Sequence, residues 1–464
     1  LGINETGKNN NNVIASDQEE RGNLSLTRQS KKTSESSKDN KTVIASGRRA
    51  RGNLTPKQIE SIHILDPACG SGSFLLGAYR YLLDYHLNYY TGDDKIREKS
   101  LKDGIIYQVS ENTYRLTIAE KQKILLNNIY GVDIDRQAVE VTKLSLLLKL
   151  MEHENQESAG MLFKISDFKL LPDLSGNIKC GNSLIGSDFY KGQNLSLFGD
   201  DEKRKINAFD WDGPDGFPQI MKNGGFDIVI GNPPYIFTRD EGFSLNEKEY
   251  FYNKFKNSQY QLNTYILFTE TSFHLITKNG RFGFIIPNNW LTIDTTSIFR
   301  KFLIENTFNM KIANSNYKVF QQANVDTSIL LFSKTGKKEL QLFSLENKEF
   351  IFIDSINMTK ILKSKNFVIN FISYKNKNSF NLINIIEDNS INLNEITIIK
   401  AGIKAYEVGK GYPKQTEKMK NERIYHSREK YDLNYIKYLE GIDIKRYYLG
   451  WSGQYIKYGN NLAA

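Results

Sequence analysis

Only two cysteines, Cys69 and Cys180, occur in 464 residues. They are too few for a zinc cluster and too sparse for a secreted disulfide framework, so a reducing, cytoplasmic setting is expected. Histidine is scarce too: the five in the chain show no ligand spacing, and no metal site is expected. No uninterrupted apolar stretch approaches the roughly 20 residues of a membrane span, and the first residues are polar rather than signal-like. That excludes a helical membrane protein on the sequence pattern. Neither sign of charge dominates: 62 Lys+Arg against 53 Asp+Glu leaves +9, with a pI near 9.0 and 12% aromatic residues. The balance suits a nucleic-acid partner only a little better than an ordinary basic enzyme.

The length predicts two or three domains of roughly 100–200 residues each. Residues 1–55 lack large apolar groups and any helical or strand period, so they cannot offset their ordering entropy by burial and are expected to be disordered. They carry an echo at a spacing of 30, with Val13-Ile14-Ala15-Ser16 recurring as Val43-Ile44-Ala45-Ser46, which reads as a local duplication. From Pro56 to Thr335 strand and helix signals alternate, as in a mostly parallel sheet wrapped by helices. Strands are expected at 62–66, 129–134, 178–180, 226–231, 282–287, 311–313 and 328–332. Helices are expected at 73–90, 138–150, 265–277 and 298–305, and segments 91–123 and 187–224 read as insertions at loops. Residues 336–464 differ: the last 74 residues hold 10 of the 26 tyrosines and 13 Lys+Arg against 8 Asp+Glu. They read as a second domain that breaks off in the strand-like stretch Trp451 to Gly459.

Three stretches carry chemistry. Asp66-Pro67-Ala68-Cys69-Gly70-Ser71-Gly72-Ser73-Phe74 follows a strand and opens a helix, so its glycines let a ligand approach the backbone. Leu75 stands where a dinucleotide turn would place its third glycine. Asp66 at the strand end instead suits a ligand with an amine end. Cys69 reads as a small packing residue. At the tip of the second strand Asp133 can accept from vicinal ribose hydroxyls, while Asp135 reads as a helix cap. After the third strand, the Asn182 amide offers a donor and an acceptor to an adenine edge. The third stretch, Phe226 to Tyr235, is an apolar strand ending in Asn232-Pro233-Pro234-Tyr235. Two prolines fix φ there and remove donors. The Asn232 carboxamide and the Pro233 carbonyl can accept the protons of a planar amine while Tyr235 stacks on its ring.

Taken together, Asp66–Phe74, Gly131-Val132-Asp133-Ile134-Asp135 and Asn232–Tyr235 resemble the gamma-class N6-adenine DNA methyltransferases, specifically the methyltransferase part of type IIG restriction–modification enzymes. The similarity runs on through Ile285–Trp290, Val319–Ser328, Gly402–Gly411 and Tyr455–Gly459, about nine-tenths of the chain. One element departs: Gly52-Asn53-Leu54-Thr55-Pro56 lacks the paired tyrosines that precede Thr-Pro in the family.

The resemblance implies a class I S-adenosylmethionine-dependent α/β fold over 56–335 and a partial α+β target-recognition domain over 336–464. It implies S-adenosylmethionine as cofactor, with Asp66, Pro67, Ala68, Cys69, Gly70, Gly72 and Phe74 around its amino-acid end. Asp133 would hold its ribose, Ile134 and Asn182 its adenine, and Asn232 would border it. Asn232, Pro233, Pro234 and Tyr235 would carry out catalysis on an adenine flipped from double-stranded DNA, with Tyr235 and Phe320 stacking on the base and Pro287 to Trp290 lining the pocket. A separate or upstream nuclease is the implied partner, since no nuclease constellation is found in the chain. Two rival readings are methylation of a protein glutamine amide and a catalytically impaired DNA-binding remnant of a restriction system.

Overall fold

The computed structural model describes residues 54–154, 171–191, 205–237, 242–258, 262–315, 326–347, 349–375, 382, 385–386, 389–391, 393–399 and 402–463. The expected disorder of 1–55 falls almost wholly outside them, and so does Phe320.

In chain order the strands are β1 (Ile64–Asp66), β2 (Ile106–Ser110), β3 (Thr113–Leu116), β4 (Ile129–Asp133), β5 (Ile178–Cys180) and β6 (Phe226–Gly231). They continue with β7 (Ile276–Pro287), β8 (Phe308–Ser315), β9 (Thr327–Ser333), β10 (Glu339–Glu346) and β11 (Glu349–Asn357). The principal helices are α1 (Ser73–Thr91), α2 (Ile118–Asn128), α3 (Arg136–Met151), α4 (Leu245–Lys254), α5 (Thr264–Leu275) and α6 (Ser297–Asn306). Nine strands share one sheet in the order β11-β10-β8-β9-β7-β6-β1-β4-β5. β5, β4, β1, β6 and β7 are mutually parallel, and β9 runs antiparallel between β7 and β8. This is the class I methyltransferase arrangement. Consecutive strands step one way from β1 to β4 and β5, and the chain then returns to place β6 on the other side of β1. The loops after β1 and β6 therefore diverge, opening a crevice at the carboxyl ends of the strands.

Period-two alternation divides the core. Leu65, Val132 and Val229 face one way, into a cluster with Tyr265, Leu267, Phe299 and Leu303 from α5 and α6. Ile64, Ile129 and Ile178 face the other, against Leu75, Tyr79, Leu125 and Leu146 from α1, α2 and α3. Both faces of the parallel strands are thus covered, which is why these strands read as continuous apolar runs.

Two expectations need correction. Segment 91–123 is more than a loop insertion: it forms the helix Asp94–Lys102, the β2–β3 hairpin and the start of α2, and its Ile106, Leu116 and Ile118 join the core on the α1 side. The sheet also passes the boundary expected at 335/336. β10 pairs in parallel with β8 and antiparallel with β11, so Glu339–Asn357 belongs to the α/β sheet. The alternating Leu340, Leu342 and Ile356 supply the buried face that holds it there.

Farther on, three short antiparallel strands, His426–Ser427, Tyr455–Lys457 and Tyr435–Lys437, surround a small core of Ala405, Tyr425, Ile456 and Leu462. Among the described residues no helix is long and apolar enough to cross a membrane.

Candidate active site

β1 delivers Asp66 into the crevice almost fully buried, its Oδ1 accepting from the Ala68 N–H at 3.1 Å. Burial, helped by the charge of Asp133 and opposed by the Ala68 amide, raises its pKa from 3.8 to about 7. A carboxylate held this far from water favours a cation beside it. The neighbouring strand makes room for it: a Cβ on Gly231, the last residue of β6, would stand 2.6 Å from Asp66 Oδ1.

The turn after β1 is tied down on two sides. Cys69 N–H donates to the Val132 carbonyl (3.0 Å), Gly72 N–H to the Cys69 carbonyl (2.7 Å), and Thr142 Oγ1 to the Gly70 carbonyl (2.7 Å). Gly72, at φ +83°, also meets Thr142, which would lie 2.9 Å from an added Cβ, so a side chain is excluded by conformation and by space. Asp133 at the end of β4 accepts from Gly70 N–H through Oδ2 (2.8 Å) and from Asp135 N–H through Oδ1 (2.9 Å). Each carboxylate oxygen keeps further acceptor capacity, so vicinal hydroxyls can still be held. Asp135 caps α3 by accepting from Gln137 N–H at 2.8 Å. Ile134 and Phe74 present half-exposed side chains at the rim, 50% and 38% accessible. Cys69 packs beneath β4 beside the Gly131 position, and burial pushes its thiol above the usual range, which suits packing rather than nucleophilic chemistry.

Asn182 shapes its own loop: its Oδ1 accepts from Leu184 N–H (3.1 Å) and its Nδ2 donates to the Ile206 carbonyl (3.1 Å). The loop is docked to the first turn by Ser183 Oγ, which donates to the Pro67 carbonyl at 2.6 Å.

Asn232 follows β6 directly, with Pro233 buried and Pro234 exposed. The Tyr235 hydroxyl lies 2.5 Å from Asn232 Oδ1 and 2.9 Å from the Ile285 carbonyl, two acceptors for one proton. Burial raises the Tyr235 phenol well above its ordinary pKa, so it stays protonated and remains a donor. The first turn of α5, which sequence reasoning missed, braces this turn. Thr264 Oγ1 donates to the Pro234 carbonyl and accepts from Ile236 N–H (3.1 Å), and Thr264 N–H donates to the Ile236 carbonyl (2.9 Å). Tyr265 stands edge-on to the Tyr235 ring, centroids 6.4 Å apart, and its hydroxyl reaches Asn289 Oδ1 at 3.3 Å. The signal for this brace was the polar Asn263-Thr264 step opening an apolar helix; Asn263 caps it.

The wall formed by Pro287 to Trp290 differs from expectation in one member. Trp290 is fully buried, its indole N–H donating to Ser328 Oγ at 3.2 Å, so it supports the wall from behind. Arg300, also fully buried, gathers the same loop: it donates to the carbonyls of Trp290, Ile293 and Asn366 and to Thr296 Oγ1. Burial lowers its pKa to about 10. The structure thus brings Asp66, the 67–74 turn, Asp133, Ile134 and the Asn232–Tyr235 turn to one end of the sheet, around the crevice.

Comparison with known proteins agrees with this geometry. Residues 127–320 match the family model of the Eco57I restriction-modification methylase, and residues 52–163 that of the N-6 DNA Methylase. The chain is 32% identical over 285 residues to the Type II restriction enzyme and methyltransferase RM.Eco57I of Escherichia coli, covering 61% of this chain and 26% of the relative. It is 25% identical over 397 residues to a putative Type II restriction enzyme and methyltransferase, RM.MjaORFECS2P, of Methanocaldococcus jannaschii, covering 61% and 31%. It is 26% identical over 195 residues to the Adenine-specific methyltransferase PglX of Streptomyces coelicolor, covering 41% and 13%. The chain therefore spans no more than about a third of the length of these curated relatives. Between them the two methylase models match residues 52–320, the part of the chain that carries the crevice and its two signature turns.

Proposed function

We propose that this chain transfers a methyl group from S-adenosylmethionine to N6 of an adenine in double-stranded DNA, as the modification part of a restriction–modification system. The observation that carries the reading is the Asn232-Pro233-Pro234-Tyr235 turn, set at the end of β6 immediately after Gly231, whose missing side chain accommodates the Asp66 carboxylate. The relatives, two restriction enzyme–methyltransferases and an adenine-specific methyltransferase, support it.

The residues at the crevice fit the cofactor. Asp66 would hold the ammonium group, the glycine turn would lie against the amino-acid end, Asp133 would hold the ribose, and Ile134 would flank the adenine. When bound, S-adenosylmethionine supplies a methyl group activated by a sulfonium.

The remaining work falls to the chain's own groups. The target adenine must leave the duplex, because its N6 is unreachable for chemistry inside the stack. Asn232 Oδ1 and the Pro233 carbonyl accept from the exocyclic amine, drawing its lone pair out of conjugation and making it nucleophilic. Asn232 Oδ1 is shared with the Tyr235 hydroxyl, and the Ile285 carbonyl lets that hydroxyl shift its proton fully away when the amine arrives. The Tyr235 ring, and Phe320 by resemblance, would stack on the extruded base. Positioning and fixed dipoles carry the catalysis, with no covalent intermediate. In the second region, residues 402–463 would meet the DNA with their tyrosines and cations.

The direct test is to incubate the full chain with unmodified DNA and methyl-labelled cofactor, then digest the DNA to nucleosides. Label in N6-methyladenine is the expected result. Label in protein, or in cytosine, would overturn the reading.

A further inference from the structure

The backbone donors of the turn after β1 are spoken for, with one exception. Ala68 N–H donates to Asp66 Oδ1 (3.1 Å), Cys69 N–H to the Val132 carbonyl (3.0 Å), Gly70 N–H to Asp133 Oδ2 (2.8 Å) and Gly72 N–H to the Cys69 carbonyl (2.7 Å). Ser71 N–H differs: no group among the described residues accepts from it. Ser71 is an exposed residue, and a backbone donor on such a residue can be completed by a ligand.

The direction of that donor is set from α3. Thr142, fully buried in the middle of the helix, donates to the Gly70 carbonyl at 2.7 Å. The Gly70–Ser71 peptide is trans, so its N–H points away from its carbonyl. With the carbonyl drawn toward α3, Ser71 N–H faces the opposite side of the turn. The same rule is visible three residues earlier, where the Pro67 carbonyl accepts from Ser183 Oγ (2.6 Å) and the Ala68 N–H of that peptide turns the other way, to Asp66. Chain stiffness alone does not hold the plane. Ser71 lies between Gly70 at φ +52° and Gly72 at φ +83°, and glycine leaves the flanking torsions permissive. Thr142 restrains both neighbours: it bonds the first, and its Oγ1 and Cγ2 would lie 2.9 Å from a Cβ on the second.

The buried Asp66 carboxylate favours a cation, and an unpaired N–H in the same turn favours an acceptor. An amino-acid group offers the two on one carbon. We propose that Thr142 is a positioning residue for the cofactor: it holds the Gly70 carbonyl so that Ser71 N–H donates to the carboxylate of the cofactor's amino-acid end, whose ammonium group is held by Asp66. Thr142 itself touches no ligand. This rests on the reading of the chain as S-adenosylmethionine-dependent and adds α3 to the elements that select the cofactor. Because α3 starts just beyond Asp133, one rigid helix sets the register of the ribose carboxylate and of the Ser71 donor.

The test is binding to the full chain, measured by calorimetry with S-adenosylmethionine and with its decarboxylated form, which keeps the ammonium and sulfonium groups and lacks only the carboxylate. The wild type should bind the first about tenfold more tightly, as expected for one charge-assisted hydrogen bond. Thr142→Val, which keeps the shape and removes the hydroxyl, should lose most of that discrimination, weakening the first ligand about tenfold and the second less than about twofold. Thr142→Ser, which keeps the donor, should retain it. An equal loss for both ligands would leave Thr142 a purely structural role and overturn the proposal, as would unchanged binding in Thr142→Val. A second readout needs no variant: in protein made with isotopically labelled serine, the Ser71 amide resonance should move on addition of S-adenosylmethionine and stay in place with the decarboxylated form. The same movement with both overturns the proposal even if Thr142→Val does not fold. A wild type that binds both ligands equally overturns it while sparing the proposed function. A wild type that binds neither overturns both.

Discussion

The α/β region and the C-terminal region reach order by different means. The first rests on two large apolar clusters on either side of a nine-stranded sheet. The second has four buried core residues and relies on stacked rings and local hydrogen bonds, such as Tyr406 on Tyr425 and His426. The difference suits the task proposed for each. A methyl-transfer site needs its carboxylates, amide and carbonyls held to within a fraction of an ångström, which strand ends on a packed sheet provide. A surface that reads DNA can be small and polar, because much of its binding energy comes from charge and from groups completed by the ligand.

Substitutions can break this comparison or sharpen it, and the largest effect is expected in the α/β core. Arg300→Met would remove the guanidinium that donates to the Asn366 carbonyl and to the Trp290 and Ile293 carbonyls, leaving the latter two only their bonds from Thr296. We expect a loss of about 3–5 kcal/mol in chemical denaturation. A loss below 1 kcal/mol would mean that the wall of the crevice does not depend on that guanidinium.

Asp66 predicts a pH dependence. Its folded pKa, about 7, lies above the ordinary value of 3.8. The stability associated with its proton is therefore fully present below about 3.8 and is lost as pH rises through 7, a contribution of up to ~4 kcal/mol in the absence of ligand. Asp66→Asn should flatten this part of the pH–stability curve while abolishing measurable cofactor binding. A variant with the same slope as the wild type would assign the slope to other groups.

Asn232→Ala should lower methyl transfer by about 10²–10³-fold, on the scale of removing one fixed dipole from a reacting centre. Cofactor affinity should change much less. Retained turnover in that variant would refute the role given to the amide.

Ile456→Ala removes the fully buried centre of the small C-terminal core. We expect about 2 kcal/mol of destabilisation confined to that region. Amide exchange should accelerate over 402–463 with the β1, β4 and β6 amides unaffected. Equal acceleration in the sheet would show that the two regions unfold as one.

How much of this could be read beforehand depends on how local the cause was. β1, β4 and β6 were legible because their apolar runs end in Asp66, Asp133 and Asn232, and the same residues announce the site. The Asp135 cap was legible for the same reason, since its partner is two residues away. The brace from Thr264 to Pro234 and Ile236, and the Arg300 bonds to Asn366, link residues some 30 and 66 positions apart, and no periodicity records such pairs. The loop bonds of Asn182 were not legible, because an amide after a strand serves a loop and a ligand equally well by residue type. β10 and β11 were assigned to the wrong side of a boundary because their alternation of Leu and Ile with Glu, Gln and Ser is diluted by Phe and Asp. Only pairing with β8 shows which sheet they join.

The burial of Asp66 has a calorimetric consequence. Near neutral pH a substantial fraction of free protein carries a proton on that carboxylate. An ammonium group docking against it would expel the proton into the medium. The heat of ligand binding should then change with the ionisation enthalpy of the buffer: titrations in Tris and in phosphate at one pH would differ by the number of protons released multiplied by the difference in the two ionisation enthalpies, and that number would fall toward zero as the solution is made more alkaline.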